Sequence, residues 1–193
     1  MCGRYLIDEE VYSDILLLLN TPGMAQKISG GEIFPATIAP VISHGGAEAV
    51  KWGFPHWKNS SVIINARAET ALEKSMFKKP LLERRCVVPS SGFFEWAHTG
   101  GRKKKDKYLL RLPGESVLYM AGMISVFRDA SGAGYSAFVI LTTGASTTVA
   151  PIHDRMPVIL APDEQDLWIS DTVFMEHALR RPGPELTLEV EVA

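Results

Sequence analysis

Apolar positions four and three apart at Val11, Ile15 and Leu18 predict a helix over residues 8–20, with Asp8 as its cap and Thr21-Pro22-Gly23 as its end. Pro35 and Pro40 frame an irregular extended stretch. Gly45-Gly46 then marks a hairpin turn between Val41-Ile42 and Val50-Lys51-Trp52. Val62-Ile63-Ile64 predicts a short buried strand. A second helical pattern covers residues 68–82 and is expected to break near Pro80. Cys86-Val87-Val88 and Phe93-Phe94-Glu95-Trp96 have strand character. Residues 108–112, 117–125 and 135–142 predict a meander, with Pro113-Gly114 and Ser131-Gly132 as its turns. A further strand is expected at 156–160, and short helices with acidic caps at 163–169 and 171–180. In the tail, 185–192, Glu and Thr alternate with Leu and Val as in a half-buried strand. Many strands with scattered helices and no βαβ rhythm predict an α+β fold built on a curled, mainly antiparallel, barrel-like sheet with peripheral helices. No repeat, low-complexity segment or linker interrupts the pattern, so residues 1–193 are expected to form a single domain.

Composition narrows the class. Of the 193 residues, 46% are hydrophobic and 22% charged, enough apolar surface to build a core and exclude a disordered chain. The longest aliphatic run, Ile15 to Leu19, falls far short of a membrane span. No basic segment followed by an apolar stretch opens the chain, so no secretory signal is expected. Two cysteines, Cys2 and Cys86, make no disulfide framework and lack zinc-site spacing. The expectation is a cytoplasmic protein with no metal and no organic cofactor. A net charge of −2 excludes a uniformly basic nucleic-acid binder. Yet residues 51–111 carry fourteen basic and five acidic side chains between two acidic flanks, a segment able to steer a polyanion. Within it, Arg102-Lys103-Lys104-Lys105 after Gly100-Gly101 reads first as a solvated loop.

Candidate chemistry begins at Cys2. If Met1 is removed, Cys2 presents a free α-amine and a thiol on adjacent carbons. The amine titrates near ~8 and the thiol near ~8.5. Such a 1,2-aminothiol condenses with an aldehyde to an imine and closes its sulfur onto the same carbon, giving a thiazolidine. Position alone favours a plain small residue near a terminus. Glu95 lies in an apolar run, where it is either a buried acid/base with a raised pKa or an outward-facing strand residue between inward Phe94 and Trp96. His153 sits in a loop beside Asp154 and Arg155. His44, His56, His98 and His177 read as structural or exposed. Asn65, at the end of a strand, suits orienting a substrate oxygen or amine, or capping a helix together with Glu69. Trp52, Phe54 and Trp57 interleave with Lys51 and Lys58, as in stacking on single-stranded bases or, for at least one tryptophan, core packing.

Six pieces in this order complete the reading: Met-Cys-Gly-Arg-Tyr at 1–5, Trp-Gly-Phe at 52–54, Ile-Asn-Ala-Arg-Ala-Glu-Thr at 64–70, Arg-Cys-Val-Val-Pro at 85–89, Gly-Phe-Phe-Glu-Trp at 92–96 and Ile-His-Asp-Arg-Met-Pro-Val-Ile-Leu at 152–160. Together they resemble the SOS-response-associated peptidase (SRAP) family of abasic-site processing proteins. The resemblance implies a monomeric DNA-repair protein that binds abasic sites in single-stranded DNA and cross-links to them through Cys2. It implies Cys2 as nucleophile, Asn65 as the group that positions sugar or amine, Glu95 as acid/base, and His153 as a proton-transfer residue on the release side. It places Arg4, Arg67 and Arg155 on phosphates, and Pro35 and Trp52 against DNA. Removal of Met1 would be the peptidase step. Here Pro35 is followed by Ala36-Thr37 where the family has other polar residues, the stretch between Trp52 and Asn65 is short, and Phe94 replaces a common tyrosine. Two other classes fit part of the pattern: a thiol peptidase using Cys2 and His153 on proteins, and a non-catalytic single-strand binder.

Overall fold

The structure, a computed structural model, describes residues 2–18, 28–97 and 106–191. Along the chain the strands and helices are β1 (Tyr5–Ile7), α1 (Glu9–Leu18), β2 (Gly31–Ile33), β3 (Ile38–Ser43), β4 (Gly46–Trp52), β5 (Phe54–Pro55), β6 (Val62–Ile63) and β7 (Asn65–Arg67). After a single 3-10 turn (Ala68–Thr70) follow α2 (Ser75–Glu83), β8 (Arg85–Ser90), β9 (Gly92–Trp96), β10 (Lys107–Arg111), β11 (Leu118–Arg128) and β12 (Gly134–Gly144). The last elements are β13 (Arg155–Pro157), β14 (Ile159–Leu160), α3 (Gln165–Ser170), α4 (Thr172–Arg180) and β15 (Thr187–Glu191).

Five strands close on themselves in the order β12-β4-β3-β8-β11 and back to β12. A closed ring with an odd number of strands cannot be antiparallel throughout. The one parallel seam is β12 on β4, where Ala137 faces Lys51 and Phe138 faces Trp52. β7 continues that seam, with Asn65 opposite Ile140 and Arg67 opposite Thr142. Between them the chain leaves the barrel through the small β5–β6 hairpin. Gly53 starts this excursion at φ +114, where a Cβ would stand 2.7 Å from the Val62 side chain, so only glycine fits. A second, five-stranded sheet runs in the order β15-β10-β9-β1-β2.

β12 explains how the two layers share one strand. Phe138 and Ile140 join a core cluster with Cys2, Tyr5, Trp52 and Phe93. Ala137, Val139 and Leu141 point the other way, into a cluster with Phe77 of α2, Trp168 of α3 and Met175 of α4. The period of two thus buries both faces, as the uninterrupted apolar run requires. Buried Arg85 ties the helices to the barrel. Its guanidinium donates to the carbonyls of Leu81 and Leu82 at the end of α2 and to that of Trp168 in α3, matching a cation to two helix C-terminal regions.

Several expectations need correction. Asp8 does cap α1, its Oδ1 accepting the Val11 N–H at 3.2 Å, but Leu18 is 54% exposed, and the helix reaches the core through buried Val11 and Ile15 with Tyr12 and Leu16 packed beside them. The expected stop at Thr21-Pro22-Gly23 lies outside the described residues. The second helix breaks at 71–74, not at Pro80, which lies inside α2. There it removes one backbone donor, while its own carbonyl still accepts the Arg84 N–H at 2.8 Å. Val62 and Ile63 are half-buried rather than buried, because they pair only with the two residues of β5. The meander is half realised. β11 and β12 form a hairpin, but β10 pairs with β9 and β15 in the other sheet. A turn signal such as Pro113-Gly114 says that the chain reverses, not which strand it then meets. The strand expected at 156–160 splits at Val158, whose N–H donates to Leu141 and whose carbonyl accepts from Ala121. Of the acidic caps, Asp171 bonds the Val173 and Phe174 amides of α4, but Glu164 makes no side-chain cap on α3. No helix among the described residues is long and apolar enough to cross a membrane.

Tyr5 marks a local excess of polarity in this core. Its ring packs 5.0 Å from Trp52, and its buried hydroxyl has no hydrogen-bond partner among the described residues. An unsatisfied buried hydroxyl costs roughly 1–3 kcal/mol. Tyr5→Phe is therefore expected to raise the urea midpoint, by about 1 kcal/mol in stability, and a lowered midpoint would show that the hydroxyl is bonded.

Candidate active site

The site forms where the end of the second sheet meets the parallel seam of the barrel. β1 pairs with β9, Tyr5 opposite Phe93, and the Phe94 N–H donates to the Arg4 carbonyl at 2.9 Å. This pairing carries Cys2 along the strand that holds Glu95. From the other side, the β7–β12 seam delivers Asn65, whose Nδ2 donates to the Cys2 carbonyl at 2.9 Å. Cys2, Asn65 and Glu95 are distant in sequence and meet here.

Cys2 is fully buried in the apolar cluster. Its Sγ lies 3.7 Å from the Arg4 carbonyl. Burial, and then the negative field of Glu95, push its thiol well above the usual thiol range. Glu95 is 4% exposed, so of its two readings the outward-facing one falls away. Phe94 is buried too, while Trp96 is only half-buried. Asn65 Oδ1 is buried with no partner among the described residues, an open acceptor next to the Cys2 main chain.

His153 precedes β13, which pairs with the end of β12. Asn65 faces Ile140 and Arg155 faces Gly144, so the two approaches are offset by about 13 Å along β12, at 3.3 Å per residue. His153 Nδ1 lies 3.0 Å from the Arg155 N–H and 2.9 Å from Asp154 Oδ1. Nδ1 thus faces both a main-chain donor and a carboxylate.

The DNA-facing set is rearranged. Trp52 is wholly buried, its Nε1 donating to the Ile64 carbonyl at 3.2 Å, and it is not available to a base. Trp57 is the exposed tryptophan, at 75%, with the Lys58 ammonium 4.4 Å from its ring and His56 stacked on it. The sequence held the signal: Trp52 keeps the inward phase of Val50 in β4, whereas Trp57 precedes the turn residues Asn59-Ser60-Ser61. Arg155 is 12% exposed and grips Glu69 through both nitrogens, at 2.6 and 2.8 Å, while Nη2 also donates to the Thr142 carbonyl. That clamp holds the Glu69 carboxyl below its ordinary range. Arg67 is exposed on β7. Arg4 is half-buried between the rings of Phe34 and Trp96, at 4.2 and 5.0 Å, and pairs with Glu32 at 3.0 Å. Pro35 lies half-buried in a turn whose Ala36 N–H donates to the Trp52 carbonyl at 2.8 Å. The tetrad 102–105 and His98 lie outside the described residues. Among the described residues no group of three or more His, Cys, Asp or Glu is arranged to hold a metal.

Residues 1–190 match the family described as SOS response associated peptidase (SRAP). The chain is 32% identical over 185 residues to the abasic site processing protein YoqW of Bacillus subtilis, covering 88% of this chain and 80% of that one. It is 29% identical over 189 residues to the abasic site processing protein YedK of Escherichia coli, covering 92% and 83%. A crystal structure of a protein from Bacteroides thetaiotaomicron superposes with a TM-score of 0.83 at 25% identity, covering 98% of this chain and 91% of that one.

Proposed function

We infer that this chain, which belongs to the SOS response associated peptidase family, processes abasic sites in single-stranded DNA by covalent capture through Cys2 after removal of Met1. The observation that carries this reading is the hydrogen bond from Asn65 to the Cys2 carbonyl beside buried Glu95. It fixes the main chain of the one residue that has an amine and a thiol to offer at once.

The chemistry then runs in three steps. An abasic sugar is mostly a closed hemiacetal, and a proton transfer opens it to the C1′ aldehyde, for which Glu95 is the nearby acid/base. The Cys2 α-amine adds to that carbon, and loss of water leaves an imine. The thiol sulfur adds to the imine carbon while its proton passes to the nitrogen, closing a thiazolidine. Asn65 Oδ1 is the acceptor that holds the amine or a sugar hydroxyl, and His153 serves proton transfer in the reverse direction. Arg4 and Arg67 contact backbone phosphates, Trp57 offers a face for a base, and the turn at Pro35 borders the strand. The chain acts as a monomer.

A thiol buried among apolar side chains favours this over a thiol peptidase. A protease cysteine attacks first and must be a ready thiolate, with a depressed pKa. In ring closure the thiol acts second, on an activated carbon, and gives up its proton in the same step. The test is incubation with a single-stranded oligonucleotide bearing one abasic site, followed by a denaturing gel. A denaturation-stable adduct is expected with that oligonucleotide and none with its undamaged counterpart. Absence of the adduct from protein whose Met1 is shown by mass spectrometry to be gone rejects the reading.

A further inference from the structure

Across four neighbouring strands of the second sheet runs a row of charges and rings. Glu32 lies on β2, the edge strand, and Arg4 directly precedes β1. Phe94 and Trp96 lie on β9, and Lys107 opens β10. Glu32 is bonded to both cations. One carboxylate oxygen takes Arg4 Nη1 at 3.0 Å and the other takes the Lys107 ammonium. Each cation also lies over an aromatic face, Arg4 over Phe34 and Trp96, and Lys107 3.9 Å from the Phe94 ring centre. Each cation thus has an aromatic contact besides the carboxylate. Arg4 stands two residues from Cys2, and its carbonyl lies 3.7 Å from the Cys2 sulfur.

We propose that Arg4 and Lys107 form a two-cation seat for a backbone phosphodiester next to the lesion, and that Glu32 occupies this seat as an internal phosphate surrogate until a strand displaces it. A phosphodiester offers two anionic oxygens to two converging donors, as the Glu32 carboxylate does now, and the same donors cannot serve both at full strength. Glu32 is 30% exposed on its side chain and on an edge strand, so it can swing into water without breaking the sheet. Burial raises the Glu32 carboxyl, but bonds and charges from Lys107 and Arg4 outweigh it and bring it below its ordinary value. The surrogate is therefore ionised at every pH above the usual carboxylate range, and the strand must displace a charged competitor. Its consequence is selectivity. Weakly held, undamaged strands are shed, and a strand is kept when further contacts at the site add to the phosphate.

The proposal rests on the single-strand reading above, and its test separates the two. Fluorescence anisotropy with a labelled undamaged oligothymidylate, at 50 to 300 mM salt, is measured for the wild type, Glu32→Gln, the pair Arg4→Gln with Lys107→Gln, and all three changes together. Glu32→Gln keeps the shape and a hydrogen bond to Arg4. It is expected to bind roughly three- to tenfold more tightly and to steepen the salt dependence by about 0.7 in slope for one added phosphate contact. In the Arg4→Gln, Lys107→Gln background, adding Glu32→Gln is expected to change nothing. Binding by Glu32→Gln equal to or weaker than wild type at every salt overturns the proposal, and leaves the cross-linking reading intact if the wild type still forms its adduct. Tighter binding by Glu32→Gln with no adduct from the wild type upholds the seat and overturns the cross-linking instead.

Discussion

Cys2→Ala is expected to abolish the denaturation-stable adduct completely while the chain still folds. The change removes a sulfur from a fully buried position, which costs about 1 kcal/mol or less, on the scale of one lost methylene-sized group in a core. The Asn65 bond survives because it is made to the Cys2 carbonyl and not to its side chain. The α-amine also survives, so an imine can still form, but without sulfur it cannot close to the ring and is lost on denaturation. Reducing the imine with borohydride before the gel is expected to recover a band from Cys2→Ala. That recovery separates loss of the thiol from loss of binding. Cys86→Ala is the control. Cys86 is buried in β8, packed where a Cβ on Gly122 would come within 3.0 Å of its sulfur, and Cys86→Ala is expected to cross-link normally. Active Cys2→Ala with inactive Cys86→Ala would place the nucleophile in the barrel and end the terminal mechanism.

Glu95→Gln carries the second large effect, a fall in the adduct-forming rate of roughly 10²–10⁴, the usual contribution of a positioned acid/base. Glutamine keeps the shape and hydrogen-bonding capacity of the side chain but cannot exchange the proton, so binding of abasic DNA is expected to change little. The structure adds a signature that a merely structural role lacks. The charge of Glu95 helps push the Cys2 thiol up, so its removal brings the thiol down and increases the thiolate fraction at a given pH. Thiol alkylation by a small reagent is thus expected to hold steady or quicken in Glu95→Gln while cross-linking slows. Single-turnover adduct formation from pH 5 to 9, run beside alkylation, checks both. Wild-type cross-linking rates across that range would remove Glu95 from the mechanism, and a parallel loss of both reactions would point to a collapsed site.

What could be read from the chain, and what could not, divides along the range of the interaction. Asp8 capping α1 and the Gly45-Gly46 hairpin are local, and their residues carry their own reasons. The closed barrel needed one pairing that no local pattern encodes. Every adjacent pair in the ring but one is antiparallel, and the odd strand count forces the parallel seam that delivers Asn65. Burial of Glu95 depended on a second neighbour for β9, since alternation with Phe94 and Trp96 left two phases open, and β1 and β10 on its flanks decide the matter. The arginines show the same limit. The Arg155–Glu69 clamp joins residues 86 positions apart, which no local pattern reveals. Trp52 and Trp57 could have been told apart by strand phase alone.

The depth of Cys2 bears on how such a protein survives its surroundings. An aminothiol is among the most reactive groups a chain can carry toward carbonyl metabolites and peroxides. A sulfur with no solvent contact and a raised pKa is screened from dissolved oxidants as long as its surroundings stay in place. Storage and readiness are then governed by one local opening. On the proposed mechanism, the strand held down by Asn65 and by the pairing to β9 would set both how long the thiol stays unspent and how much binding a lesion must supply to reach it.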